Sequence, residues 1–199
     1  MKKTLVTLTA GSLLAASIAA SHEGATGIVR ERMDGMVAMR DAVRDLTPMM
    51  QGQVEYDRDA VIDTAAIIER HAGETMTALF PEGSDDDASY ARAEIWQDWA
   101  TFEAMAMRLE LVAGALAEAA DNPPGSAMPG QMDNSTMMGG NASMMGGGSS
   151  TMMGGGSAMM GGSVAPDPAM LAQMPVDRVF AVAAQACSAC HTQFRTERD

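Results

Sequence analysis

Four stretches of this 199-residue chain repeat apolar residues at steps of three and four, the spacing that lines up side chains along one face of an α-helix. The first runs from Ile28 to about Met50 through Val29, Met36, Met39, Val43, Leu46 and Met50. Pro48, near its end, is expected to kink or stop it. The second starts after Asp57 or Asp59, either a suitable N-cap, and passes through Val61, Ala65, Ile68, Ala72 and Leu79. It ends at the breaker cluster Phe80-Pro81-Glu82-Gly83, and an acidic loop from Ser84 to Asp87 follows. The third is expected from about Tyr90 to Ala119, with Ile95, Trp99, Phe102, Ala106, Leu109, Ala113 and Leu116 on one seam. Asn122-Pro123-Pro124-Gly125 closes it. The fourth, from about Val176 to Arg195, opens with Pro175 and Asp177, both suited to the start of a helix. No strand-like alternation competes. The fold class this predicts is all-α, an antiparallel four-helix bundle, an architecture whose core often holds metals and cofactors.

The flanking and intervening segments complete the layout. Met1-Lys2-Lys3 and an uncharged, Ala/Leu-rich run from Leu5 to Ala20 have the form of a secretory leader, with small residues for cleavage after Ala20 or Ser21. That run is too short for a comfortable membrane span, and no later stretch is apolar enough, so the mature chain is expected to be soluble and exported. Residues 1–21 are therefore read as the leader, 22–124 as the first three helices, 125–167 as an insert and 168–199 as the fourth helix. In the insert, Met-Met pairs recur at 137–138, 144–145, 152–153 and 159–160 in a background of Gly, Ser, Asn and Ala. Gly at that density opposes a helix and offers a strand nothing to pack, so a flexible, disordered linker is expected. Thioethers are soft ligands that select Cu(I). The pairs suggest copper capture or sacrificial sulfur oxidation, against the plainer reading of a low-complexity expansion without a function. His22, at or beside the new N-terminus, adds a little to the copper reading.

Charge narrows the partners. The formal net charge is -13, and losing Lys2 and Lys3 with the leader takes it to -15. Such a balance argues against nucleic acid or anionic membrane and favours proteins with basic surfaces, though solubility alone accounts for it equally well. Aromatic residues make up only 4%, so the core of the helical domain must be filled by Ala, Met and other aliphatic side chains, or by a guest.

The chemistry sits near the C-terminus. Cys187-Ser188-Ala189-Cys190-His191 places two thiols three positions apart with a histidine directly after the second, the attachment signature of covalent c-type haem. Each thiol adds across one vinyl group, and the imidazole of His191 reaches the iron. Positions i, i+3 and i+4 of a helix share one face, so the three groups converge on one side of a porphyrin. Competing readings are weaker. A thioredoxin-like pair wants a strand-to-helix context, and no β-branched run precedes Cys187. Structural zinc wants four ligands, and only His22 and His71 remain, neither at finger spacing. A disulfide across two residues is uncommon. His71 itself is expected at the surface. Glu69 and Glu74 have no convergent partners, so no acid–base pair and no activated nucleophile is visible, and the protein is not expected to be an enzyme.

With these residues in hand the chain resembles the cytochrome c-prime family, the class II cytochromes c, possibly its low-spin, methionine-ligated subgroup. The resemblance rests on the haem motif lying at the far C-terminus with Phe194-Arg195 after it. It also rests on Leu79-Phe80-Pro81 with Gly83, on Glu94-Ile95-Trp96, and on Arg32 one turn before Met36 in the first helix. It covers about residues 25–122 and 168–197. It implies His191 as proximal iron ligand and a first-helix side chain over the opposite face. Aligning Arg32 with the family's first-helix arginine puts Met36 at that position, with Met33 and Met39 one turn to either side. A thioether there gives a six-coordinate, low-spin haem of raised potential. Since Met makes up 21 of 199 residues, a seam methionine acting as core filler stays open beside ligation. Arg32 either pairs with a haem propionate or is an exposed helix arginine. Arg195 either packs near the proximal face or reaches a propionate, and Phe80 and Trp96 pack on the porphyrin or cap the core. The resemblance further implies a possible homodimer. Three functions follow: a periplasmic monohaem electron carrier, a five-coordinate haem protein binding NO or CO, and a copper-handling protein using the Met-rich insert.

Overall fold

The computed structural model describes residues 25–84, 88–126 and 167–196. The leader, most of the Met-rich insert with its copper reading, and residues 85–87 of the acidic loop lie outside the described residues. Seven helices are present among those described, and four of them form the bundle: α1 (Gly27–Met50), α2 (Arg58–His71), α5 (Trp99–Glu118) and α7 (Val176–Phe194). The short helices are α3 (Gly73–Thr77), α4 (Glu94–Gln97) and α6 (Pro168–Leu171). α2 packs on α1 and on α5, and α5 packs on α7, while α1 touches α7 only lightly. No strand occurs among the described residues; an isolated bridge joins Ala91 and Arg195. None of the described helices is long and apolar enough to cross a membrane.

Local chemistry explains the helix ends. α1 passes through Pro48, which has no N–H to give, and stops at Met50, where Gly52 takes φ +69°. Asp57 caps α2 by accepting from the amides of Asp59 (2.9 Å) and Ala60 (3.3 Å). Two predicted continuous helices are broken. The second ends at His71 and restarts at Gly73, whose φ of +58° suits glycine alone, and Glu110 of α5 fills the space that a Cβ there would need. The third starts at Glu94 rather than Tyr90 and breaks at Asp98. Asn122 does more than end a helix. Its side-chain amide donates to Ala172 O (2.9 Å) and Met174 O (3.3 Å), and its carbonyl accepts from Val176 N (2.9 Å). One residue thus fastens the chain before the insert to the chain after it.

The core divides along the bundle. One cluster is aliphatic, built on Leu46, Val61, Val112, Leu116, Val176 and Val179 with alanines between them. The other holds Phe80, Phe102, Phe194, Met39, Met76 and Ile95, with Met36, Cys187 and Cys190 packed at its edge.

Candidate haem site

A cavity of about 520 Å³ opens beside the aromatic cluster, within the range of roughly 300–1,000 Å³ usual for cofactor sites. α7 reaches it with Cys190, His191 and Phe194, which share one face of the helix, and Arg195 reaches it from just past the helix end. Cys187 lies one turn earlier, partly buried against the same cluster, and both thiols are free. Opposite, α1 presents Arg32, Met33, Met36, Val37 and Arg40. Met36 and His191 therefore face one cavity from two helices. Met39 does not line it and is buried in the core, so rotation of α1 keeps Met33 and Met36 at the cavity and removes Met39.

Aromatic rings make the floor. Phe102 meets Phe80 edge-on at 4.8 Å between centroids and Phe194 at 5.6 Å. Trp96 stands behind this wall, its indole N–H donating to the carbonyls of Phe80 (3.0 Å) and Pro81 (3.1 Å), and so holds the Leu79-Phe80-Pro81 turn in place. The loop from Ser89 to Ala91 closes the side.

Three guanidinium groups line the cavity, and among the described residues no Asp or Glu does. Arg32, expected either at a propionate or exposed, is only 4% exposed. Its guanidinium donates to Leu79 O, Ser84 O, Ser84 Oγ and Ser89 Oγ and lies 4.6 Å from the Phe80 ring centroid. Arg195 stacks 5.3 Å from the ring centroid of Tyr90. Arg40 was missed by sequence reasoning, although it lies one turn beyond Met36; nothing in its neighbourhood distinguishes it from the other α1 arginines. Its Nε and Nη2 share one Asp41 oxygen that Arg44 also contacts at 3.1 Å, so Asp41 keeps a partner if Arg40 turns inward.

The donor set fits a covalent haem: two thiols, an imidazole, a cofactor-sized space and positive charge suited to two propionates. Among the described residues no three of His, Cys, Asp and Glu gather as a metal ion would need. His71 is not the surface residue expected from sequence. It is half-buried over Gly35 of α1, where a Cβ would meet its Nδ1 at 3.0 Å.

A family model described as cytochrome C' matches residues 27–136, more than half of the chain. The chain belongs to the cytochrome c' family. It has the family fold as well. Cytochrome c' from Thermochromatium tepidum superposes with a TM-score of 0.54 at 21% identity, covering 85% of this chain and 95% of that one. For cytochrome c' from Rhodopseudomonas palustris the values are 0.54, 19%, 88% and 100%. For a nitric oxide complex of a variant cytochrome c' from Alcaligenes xylosoxidans they are 0.54, 19%, 86% and 94%. No curated protein matches the chain. Membership in the cytochrome c' family makes this a monohaem c-type cytochrome with covalently bound haem c.

The electrostatics of the cytochrome c' site favour neutral groups. Desolvation and then the Arg195 charge lower the pKa of His191, so its ring is uncharged near neutral pH, with a nitrogen lone pair available to a metal. Burial pushes the Cys190 thiol up to about 11, with Cys187 adding to the rise, and burial also raises Cys187.

Proposed function

We propose that this cytochrome c' family member is an exported one-electron carrier in which His191 and Met36 hold the iron from opposite sides and Cys187 and Cys190 tether the haem. The observation that carries the reading is the presence of Met36 on α1 and His191 on α7 at a single cavity. A bound haem would supply one-electron redox chemistry, with the protein tuning its potential and access. His191 and Met36 would hold its iron with a neutral imidazole and a soft thioether, a pair that would favour the reduced state and leave no position for added ligands. Phe80, Phe102 and Phe194 keep water from the ring, and Arg40 and Arg195 offer positive charge for the propionates. No substrate is converted. The acidic surface suits basic redox partners, and the leader over residues 1–21 suits the periplasm. Association of two copies fits the family resemblance.

The second reading, a five-coordinate haem that takes up NO or CO, draws on the structural relative described as a nitric oxide complex. The reduced absorption spectrum separates the two. A sharp low-spin α band unmoved by CO, and its replacement by a broad CO-sensitive spectrum in Met36→Leu, is the expected result. A broad high-spin spectrum in the native protein, shifting with CO, overturns the electron-carrier reading.

A further inference from the structure

We propose that Arg32 is a positioning residue for the sixth iron position: it holds the described segments 79–84 and 88–92, and through the second of them the C-terminal end of α7, at a set distance from α1, so that Met36 stands opposite His191. The inference rests on the reading of Met36 as ligand and asks what keeps the two helices correctly spaced.

Direct packing does not set that spacing, because α1 meets α7 only lightly and the cavity lies between them. Packing through α2 and α5 sets the spacing coarsely, and metal–ligand distances tolerate only about 0.2 Å, so a tie local to the cavity refines it. A continuous path of bonds runs around the cavity. It begins at Arg32, one turn before Met36, whose Nη1 donates to Leu79 O (3.3 Å) and Ser84 Oγ (2.9 Å). Its Nη2 donates to Ser84 O (2.6 Å) and Ser89 Oγ (2.5 Å). Ser89 Oγ in turn accepts from Ala91 N (3.0 Å). Ala91 forms the antiparallel bridge to Arg195. Beside it, Arg92 N donates to Phe194 O (3.0 Å) and Thr196 N donates to Tyr90 O (2.9 Å). Arg195 N closes the path on His191 O (3.1 Å). The path therefore starts four residues before the α1 ligand and ends at the α7 ligand itself.

The energetics suit a rigid tie. A guanidinium buried to this degree is strongly unfavourable unless its donors are met, and here they meet two backbone carbonyls and two hydroxyls. Bonds from a charged donor are shorter and stronger than neutral ones. These bonds tie the segments around Ser84 and Ser89 to α1.

The test compares CO titrations and reduced spectra of haem-loaded native protein, Met36→Leu, Arg32→Leu, Arg32→Lys, Ser89→Ala and the Arg32→Leu/Met36→Leu double variant. Arg32→Leu should bind CO about tenfold more tightly than native protein and lose low-spin α-band intensity. Arg32→Lys should recover part of the native spectrum. Ser89→Ala, which leaves Arg32 in place and weakens the tie, should move in the same direction by less. The double variant should bind CO no more tightly than Met36→Leu. Native CO affinity in both Arg32→Leu and Ser89→Ala, alongside a gain in Met36→Leu, overturns the positioning role and leaves the ligand reading standing. If Met36→Leu behaves as native protein, the ligand reading fails and the positioning role goes with it. Should Arg32→Leu not fold, Ser89→Ala decides, and an unchanged affinity there overturns the proposal.

Discussion

The two ends of this bundle solve the same packing problem differently. Where Leu46, Val61, Val112, Leu116, Val176 and Val179 meet, small aliphatic side chains and alanines fill the interior, and these residues are at most 3% exposed. At the other end Phe80, Phe102 and Phe194 are buried too, yet their rings and the sulfur-bearing residues around them wall a cavity instead of closing it. Aliphatic side chains interdigitate at native density without help. The rings of Phe80, Phe102 and Phe194, set at steep angles to one another with Trp96 holding the turn at Phe80, leave a gap of cofactor size. One end closes with its own side chains, and the other keeps a cavity.

The sharpest way to break this comparison is a pair of large-to-small substitutions followed by urea unfolding, each made with haem attached and in protein prepared without haem attachment. Phe102→Ala should cost about 3–5 kcal/mol with haem and clearly less without it, because the wall it supports then has nothing to hold. Leu116→Ala should cost about 2–5 kcal/mol in both forms. An equal haem dependence for the two variants would erase the distinction between the ends. A smaller effect is expected for Trp96→Phe, which keeps the ring system apolar and removes the N–H shared by Phe80 O and Pro81 O. It should cost about 1 kcal/mol and raise amide hydrogen exchange around Phe80 while leaving Val112 and Val179 protected. Exchange rising equally at both ends would show the bundle to be one cooperative unit.

The smallest effect tests the closed end alone. Arg58 bonds Asp121, first by hydrogen bond and then by charge, and holds its carboxyl below the ordinary range. A depressed carboxylate stabilises the fold at pH above its unfolded value, and that contribution is lost as pH falls through the folded value. Native protein should therefore lose slightly more stability than Asp121→Asn between neutral pH and the region below the carboxylate range. Both residues are exposed, so the difference should shrink in high salt. A difference that survives high salt would point to a cause other than this pair.

Much of the molecule was legible in its residues. Apolar steps of three and four named the four bundle helices, Asp57 was recognisable as a cap, and Cys187, Cys190 and His191 carry their geometry in their spacing. These features are local, set by helix period and by bonds that reach a few residues. The breaks at Gly73 and Asp98 were not legible. At Gly73 the cause is Glu110, which arrives from another helix. Nor could sequence separate Met39 from Met36 and Met33, since all three sit on a helix whose rotation is decided by what α2 and the loop press against it. Arg32 shows the limit most clearly: its hydrogen-bond partners lie 47 to 57 residues away, so only the folded chain could reveal that this charge is buried and tied to the loop. Sequence by itself thus determined the bundle helices and the shared spacing of Cys187, Cys190 and His191, because short-range periodicity and spacing are written residue by residue. Tertiary structure decided which side chains share the cavity and what spaces them, because those relations depend on contacts between segments far apart along the chain.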